Sequence, residues 1–461
     1  MKTIKPWQHL YLGAVIVAFL AAFGLWNPFA EEASAAKHKA PGFKVDPSWP
    51  KRLPNNWLMG QIAGIAVDKD DNIWIVQRPR SLTSDEAGAT DALPGTTPPA
   101  DAFGNARPAG SLADCCYPAP SVLQLDKKGN LLRAWGGPAE GFGDSAWNWP
   151  ANTCIAPECE WPVNEHGIYV DHNMNVYIAG NAGGDAQVVK FAADGTFLLQ
   201  IGDEAVINMG SNDTNGCRGG TPCLYRPADM EVDPKTNELY IADGYGNHRI
   251  VVVDADTGFY KRHWGAYGQK PVDDGASDAM GPNDNPAAGT DPEDFAPPHF
   301  RNPVHAVRIS KDGLVYVADR PNNRVQVFDM SAGAADCIPA GPGSCGFLGE
   351  KFVERDTLGP GSVWDLDTSA DKRQTFLFIP DGTNQYVWEL LRSSLDILAR
   401  FGGNGRHAGQ FHWVHNLAVD SKGNMYTAEV DTGKRAQKFK SVGKRKDNGG
   451  EDDDTDDSDG S

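Results

Sequence analysis

Six stretches of the chain repeat one pattern of apolar and polar positions. An alternating apolar segment ends in Val-Asp or its equivalent, a tight turn of Asp, Asn or Gly follows, and a second alternating segment carries an aromatic residue. The copies are IAGIAVDKDDNIWIVQR (62–78), HGIYVDHNMNVYIAG (166–180), ADMEVDPKTNELYIADGYGNHRIVVVD (228–254), HAVRISKDGLVYVADRPNNRVQVFD (305–329), SVWDLDTSADKRQTFLFIPDG (362–382) and HNLAVDSKGNMYTAEV (415–430). Period-two alternation, β-branched and aromatic enrichment, and frequent D-G or G-N turns predict strands rather than helices. A small sheet cannot bury both of its faces alone, so units of this length pack on one another and close radially. The expected fold is all-β, a six-bladed β-propeller. Between the units, 79–120 and 264–300 are broken by Pro, Gly, Ala and Asp and read as long surface loops over one face.

The strings YIADGYGNHRIVVVD and VYVADRPNNRVQVFD resemble NHL repeats, and the resemblance covers roughly residues 55–440. It implies an NHL-type propeller.

The two ends differ from this body. Residues 1–36 run from Lys2 and Lys5 through an apolar stretch, Leu10 to Trp26, into Ala33-Ser34-Ala35, the layout of a secretory signal peptide with an A-x-A cleavage site. An uncleaved N-terminal membrane anchor is the alternative for the same segment. Residues 443–461 pass from Lys444, Arg445 and Lys446 into a run of Asp and Glu that repels itself and reads as a disordered acidic tail. The propeller is therefore expected within 37–442. The whole chain of 461 residues has a formal net charge of −19, which argues against a nucleic-acid binder working by phosphate neutralisation.

Export, to the periplasm or as a secreted protein, changes the meaning of eight cysteines, because outside the cytosol close pairs favour disulfides over metal sites. Cys154 with Cys159, Cys217 with Cys223, and Cys337 with Cys345 read as local disulfides. The pairing of the adjacent Cys115 and Cys116 stays open, with bonds to Cys154 or Cys159 among the possibilities.

Register turns the repeat into chemistry. Stepping back five residues from the turn positions Asp68, Asp171, Asp233, Ser310, Asp367 and Asp420 gives Ala63, His166, Ala228, His305, Ser362 and His415. Histidine thus opens the innermost strand of alternate blades, with a small residue in the others. With 11 His in 461 residues, chance gives such a coincidence roughly 3 times in 10,000. Three imidazoles around one channel, with an open position for water or substrate, are the ligand set of a catalytic zinc site. His172, His248, His263, His299, His407 and His412 share no such register and read as surface or loop residues.

With the histidines placed, the blade phrases resemble the peptidyl-α-hydroxyglycine α-amidating lyase family, which splits a carbinolamide into a peptide amide and glyoxylate. The resemblance implies zinc on His166 (HGIYVD), His305 (NPVHAVRI) and His415 (VHNLAVD), a catalytic arginine at Arg78 (IWIVQR) and a catalytic tyrosine at Tyr245 (ADGYGNHRI). It further implies a structural calcium held by the carbonyls of Ile65 and Ile168 and an Asp after the third histidine. Here that residue is Asn416, which supplies a neutral oxygen and removes one negative charge. The expected substrate is a small molecule or peptide, and since the six units use the whole body and leave no second domain with a copper-binding monooxygenase set, it is expected either to be made elsewhere, by a monooxygenase partner the sequence does not identify, or to be a different carbinolamide-like compound. Two other readings remain: another metal-dependent propeller hydrolase such as a lactonase, and a non-catalytic propeller that binds a protein or glycan.

Overall fold

The computed structural model describes residues 38–83, 86, 117–137, 154–155, 157–204, 206–207, 210–273, 297–329 and 346–445. The expected signal segment and the acidic run lie outside them. Among the described residues, no helix is long and apolar enough to cross a membrane.

Six four-stranded antiparallel sheets form the blades of a propeller. Their innermost strands are Gln61–Val67, Glu165–Val170, Asp229–Asp233, Val304–Ile309, Asp367–Thr368 and Val414–Val419. Blades one to five take their strands in chain order. Blade six is closed differently: its outermost strand is Pro41–Val45, which pairs antiparallel with Arg435–Lys444. The two ends of the propeller thus share one sheet, which ties the ring shut and leaves no unpaired edge at the seam. Between blades, apolar side chains interlock in layers, as Tyr240, Ile250 and Val252 do with Val307, Val315 and Val317.

The Val-Asp signal has a local cause. Asp68 Oδ1 accepts hydrogen bonds from the N–H groups of Asp70 and Asn72, both at 2.9 Å, and Asp171 and Asp420 repeat this with Asn175 and Asn424. Each Asp thus satisfies the donors of its own hairpin turn. The aromatic residue six places later returns to the same carboxylate: Trp74 Nε1 donates to Asp68 at 2.9 Å and the Tyr426 hydroxyl to Asp420 at 3.1 Å.

Blade five corrects the expected register. Its turn is longer, and the residue that closes it is Ser369, whose N–H bonds Phe376 O at 2.9 Å as Asp68 N bonds Asn72 O. Asp367 lies two residues too early to serve as the anchor, so the residue in line with the histidines is Trp364 rather than Ser362. Ser362 belongs to the connection from blade four, where its N–H donates to Asn323 Oδ1 at 2.9 Å.

The expected disulfides are met in part. Cys154 is bonded to Cys159 and Cys217 to Cys223. The third expected disulfide does not appear among the described residues: Cys337 lies outside them, and Cys345 lies outside them as well, one residue before they resume at Gly346. Cys115 and Cys116 also fall outside, so neither is seen to reach Cys154 or Cys159, which are bonded to each other.

Candidate metal centre

Because the three histidines take the same place on blades two, four and six, their rings converge on the axis. The ring centroids of His166, His305 and His415 lie 4.7–4.9 Å apart. All three residues are buried, and one ligand atom from each lies within 4.8 Å of the others. Gly167 allows this closeness, since a Cβ there would stand 2.5 Å from Ala228 O on the next blade.

The Nδ1 atoms are spoken for. His166 Nδ1 bonds Ala228 O at 2.8 Å, His305 Nδ1 bonds Trp364 O, and His415 Nδ1 bonds Asn416 Oδ1. A carbonyl oxygen only accepts, so each Nδ1 carries the proton and each Nε2 keeps its lone pair, the tautomer a metal requires. Burial lowers the pKa of all three, well below the ordinary histidine value for His166 and His305 and to about 3 for His415. Neutral, oriented and converging, the three imidazoles fit a metal ion.

Tyr245 reaches the same point. Its hydroxyl lies 3.1 Å from His166 Nε2 and 3.0 Å from His305 Nε2. The turn that carries it is braced by the buried pair of Asp243 with Arg249 Nε at 2.9 Å, and by Asn302, whose amide donates to Tyr245 O at 2.6 Å. Gly244 is required there: a Cβ would fall 2.0 Å from Val304 O. Arg78 stands at the end of the second strand of blade one, held by Glu165 O at 2.6 Å and Gln61 Oε1 at 2.8 Å. Burial lowers its pKa, opposed by the neighbouring Tyr245 and Glu165.

A further residue joins the site without having been anticipated. Arg320 is buried, donates to the Tyr245 hydroxyl from Nη1 at 3.1 Å, and lies with its guanidinium 4.4 Å over the Trp364 ring. Its Nε is buried with no partner among the described residues. The signal was present in the repeat: Arg320 follows strand-end Asp319 in blade four as Arg78 follows Gln77 in blade one, so the two arginines occupy the same register on opposite blades. Trp364 completes the wall, with its ring 5.9 Å from His305 and 5.7 Å from His415.

The residues expected to hold calcium lie beside the histidines in the innermost strands of blades one, two and six. Ile65 and Ile168 are buried in innermost strands, but the Asn416 side-chain oxygen is engaged by His415 and its amide nitrogen donates to Asp365 at 3.2 Å. Of the histidines expected on the surface or in loops, His248 sits in the loop before Arg249 but is buried against Asp273, and His263 is instead buried in the strand Tyr260–Trp264 beside the Tyr260 hydroxyl.

Fold and site define a class: a six-bladed, NHL-type β-propeller with a buried three-histidine centre on its axis. The NHL repeat model matches residues 224–253 and 302–328. The chain is 26% identical over 337 residues to NHL repeat-containing protein 3 of Mus musculus, covering 69% of this chain and 72% of that protein. It is 23% identical over 270 residues to the probable peptidyl-alpha-hydroxyglycine alpha-amidating lyase pgal-1 of Caenorhabditis elegans, covering 58% and 61%. Over 169 residues it is 29% identical to peptidyl-glycine alpha-amidating monooxygenase B of Xenopus laevis, but that match spans 36% of this chain and only 15% of the relative. The chain is thus a six-bladed β-propeller with NHL repeats over 224–253 and 302–328, similar at low identity to an NHL repeat-containing protein and to amidating lyases.

Proposed function

We propose that the protein is a zinc-dependent lyase that cleaves peptidyl-α-hydroxyglycine-like carbinolamides to an amide and glyoxylate. The observation that carries this reading is the convergence of three proton-directed imidazoles, two of which meet one tyrosine hydroxyl, flanked by two arginines. Zinc on His166, His305 and His415 would act as a Lewis acid that lowers the pKa of the substrate hydroxyl. Tyr245 takes the hydroxyl proton, the oxygen lone pair becomes the aldehyde C=O of glyoxylate, and the C–N bonding pair leaves with nitrogen, which is then protonated to the amide. No electron is gained or lost overall. Arg320 and Arg78 offer forked donors to the substrate carboxylate and to the developing oxyanion.

The two disulfides suit an oxidising compartment, and the reading includes an exported protein whose hydroxyglycine substrate is made by a separate monooxygenase. A second reading, a non-catalytic propeller with a structural metal, draws on the longer match to NHL repeat-containing protein 3, whose name states no activity. Glyoxylate release from N-benzoyl-α-hydroxyglycine separates the two. Turnover that is lost on chelation and returns with zinc supports the lyase; a zinc-loaded protein that releases no glyoxylate refutes it.

A further inference from the structure

Beyond the histidines, the channel has a second layer built one to three residues further along the same strands. It contains Asp229 and Glu231 from blade three, Arg308 from blade four, and Asp365 and Asp367 from blade five and the segment leading into it. Arg308 is the one cation among them. Its Nη1 donates to Asp229 Oδ2, and its Nη2 lies 3.0 Å from Asp365 Oδ1. The Arg308 side chain is only 12% exposed, and those of its two partners are 2% and 0% exposed.

The carboxylates also stitch neighbouring blades. Glu231 accepts from Ile309 N at 3.0 Å, Asp365 from Leu417 N at 3.1 Å, and Asp367 from Val419 N at 2.9 Å. Each acid thus caps a main-chain donor on the innermost strand of the next blade. Calcium needs six to eight oxygen ligands, and here Glu231, Asp365 and Asp367 each give one oxygen to a main-chain N–H, Asp229 gives one to the guanidinium, Asp365 Oδ1 faces the guanidinium as an ion pair, and Asn416 gives its oxygen to His415. Among the described residues, the histidine trio is the sole group of His, Cys, Asp or Glu gathered tightly enough to share an ion.

We propose that Arg308 is the resident cation of this layer: its guanidinium, bridging Asp229 and Asp365, joins blades three, four and five and neutralises the channel where a divalent ion would otherwise sit, so the protein takes no calcium. An arginine suits this place because its planar fork binds two carboxylates at once and stays protonated when buried. The proposal does not depend on the lyase reading, because none of its readouts involves turnover.

The test uses the full chain kept in zinc-containing, calcium-free buffer and then titrated with calcium. Metal analysis after gel filtration should find no stoichiometric calcium, and calcium should leave the melting temperature unchanged. Arg308→Gln should melt about 5–10 °C lower, since it leaves two buried carboxylates without their partner. Arg308→Lys, which keeps the charge but loses the fork, should melt between the two. The proposal is overturned if the wild type retains one calcium per chain or is stabilised by it, or if folded Arg308→Gln melts with the wild type. Should Arg308→Gln fail to fold, the wild-type calcium measurements and Arg308→Lys decide alone: a calcium-blind wild type and a lowered Arg308→Lys midpoint support it.

Discussion

The two layers of the channel use the inner ends of the blades in opposite ways. The imidazoles of the histidine layer are kept neutral by burial, each tied through its Nδ1 proton, with the Nε2 atoms of His166 and His305 meeting the Tyr245 hydroxyl. The layer next to it is built from four acids around one guanidinium, three of them also accepting from main-chain donors of the next blade. Both sit in low dielectric, where an unpaired charge is costly. The first layer meets that constraint with neutral imidazoles; the second meets it with a cation of its own. A propeller channel can therefore hold a metal where its converging ligand atoms are neutral, and is braced from within where a buried cation bridges its acids.

The comparison breaks most directly at His305. His305→Ala removes one of three ligands, and both bound zinc and glyoxylate release should fall to background while the melting temperature drops by only a few degrees. A variant that loses stability but keeps turnover would make the upper layer structural as well. Tyr245→Phe keeps the ring and removes the hydroxyl, so zinc should remain while kcat falls about 10²–10⁴-fold, the usual contribution of a placed proton acceptor. Arg320→Ala should lower kcat/KM about 10²–10³-fold, the range for removing one donor from developing negative charge. If Tyr245→Phe turns over normally, the proton goes elsewhere and the assignment of the base is wrong.

Much of this is legible in the sequence, and the misses have physical causes. The histidines can be read because their hairpins share one turn device, an anchor residue (Asp171, Ser310 or Asp420) whose side chain accepts from a main-chain N–H of its own turn, so counting back from it gives a true register. Blade five breaks the count because its turn runs from Ser369 to Phe376, which moves the anchor by two residues and hides Trp364 behind Ser362. Arg320 is missed although it aligns with Arg78, since a strand-end arginine in such repeats ordinarily reads as a surface ion pair. The closing strand Pro41–Val45 has no turn partner nearby in sequence; its pairing to Arg435–Lys444 is set by closure of the ring. Arg308 alternates correctly for a strand, and nothing in a linear pattern shows that four acids on other blades face it.

Asn416 belongs to both layers and sharpens the boundary between them. Its oxygen orients His415 and its amide nitrogen donates to Asp365. Asn416→Ala leaves the His415 proton without its acceptor, and zinc affinity should weaken about 10–100-fold, as expected when a residue that orients a metal ligand is removed. Competition with a chromogenic chelator measures this, and an unchanged affinity would show that the Ala63 backbone on the next blade holds His415 alone.

The smallest effect probes the charged layer by pH. Burial pushes Glu231 up to about 8, and Asp229 and Asp367 to about 6, against the pull of Arg308. A carboxyl whose folded pKa lies above its unfolded value holds its proton better in the fold, so its contribution is complete below about pH 4 and is lost as pH rises through the folded pKa. The groups facing Glu231 are Arg308, Asp229, Asp367 and the Tyr169 hydroxyl, and of these only Arg308 favours its charged form. Stability of the zinc-loaded protein should therefore decline between about pH 5 and pH 8. Glu231→Gln keeps the acceptor for Ile309 N and cannot ionise, so it should flatten that decline by about 1 kcal/mol after allowing for the water that reaches this end of the channel. Denaturant melts at the two pH values measure the difference. An equal slope in both proteins would mean that Arg308 already holds Glu231 ionised throughout, and that the second layer carries more negative charge than its burial suggests.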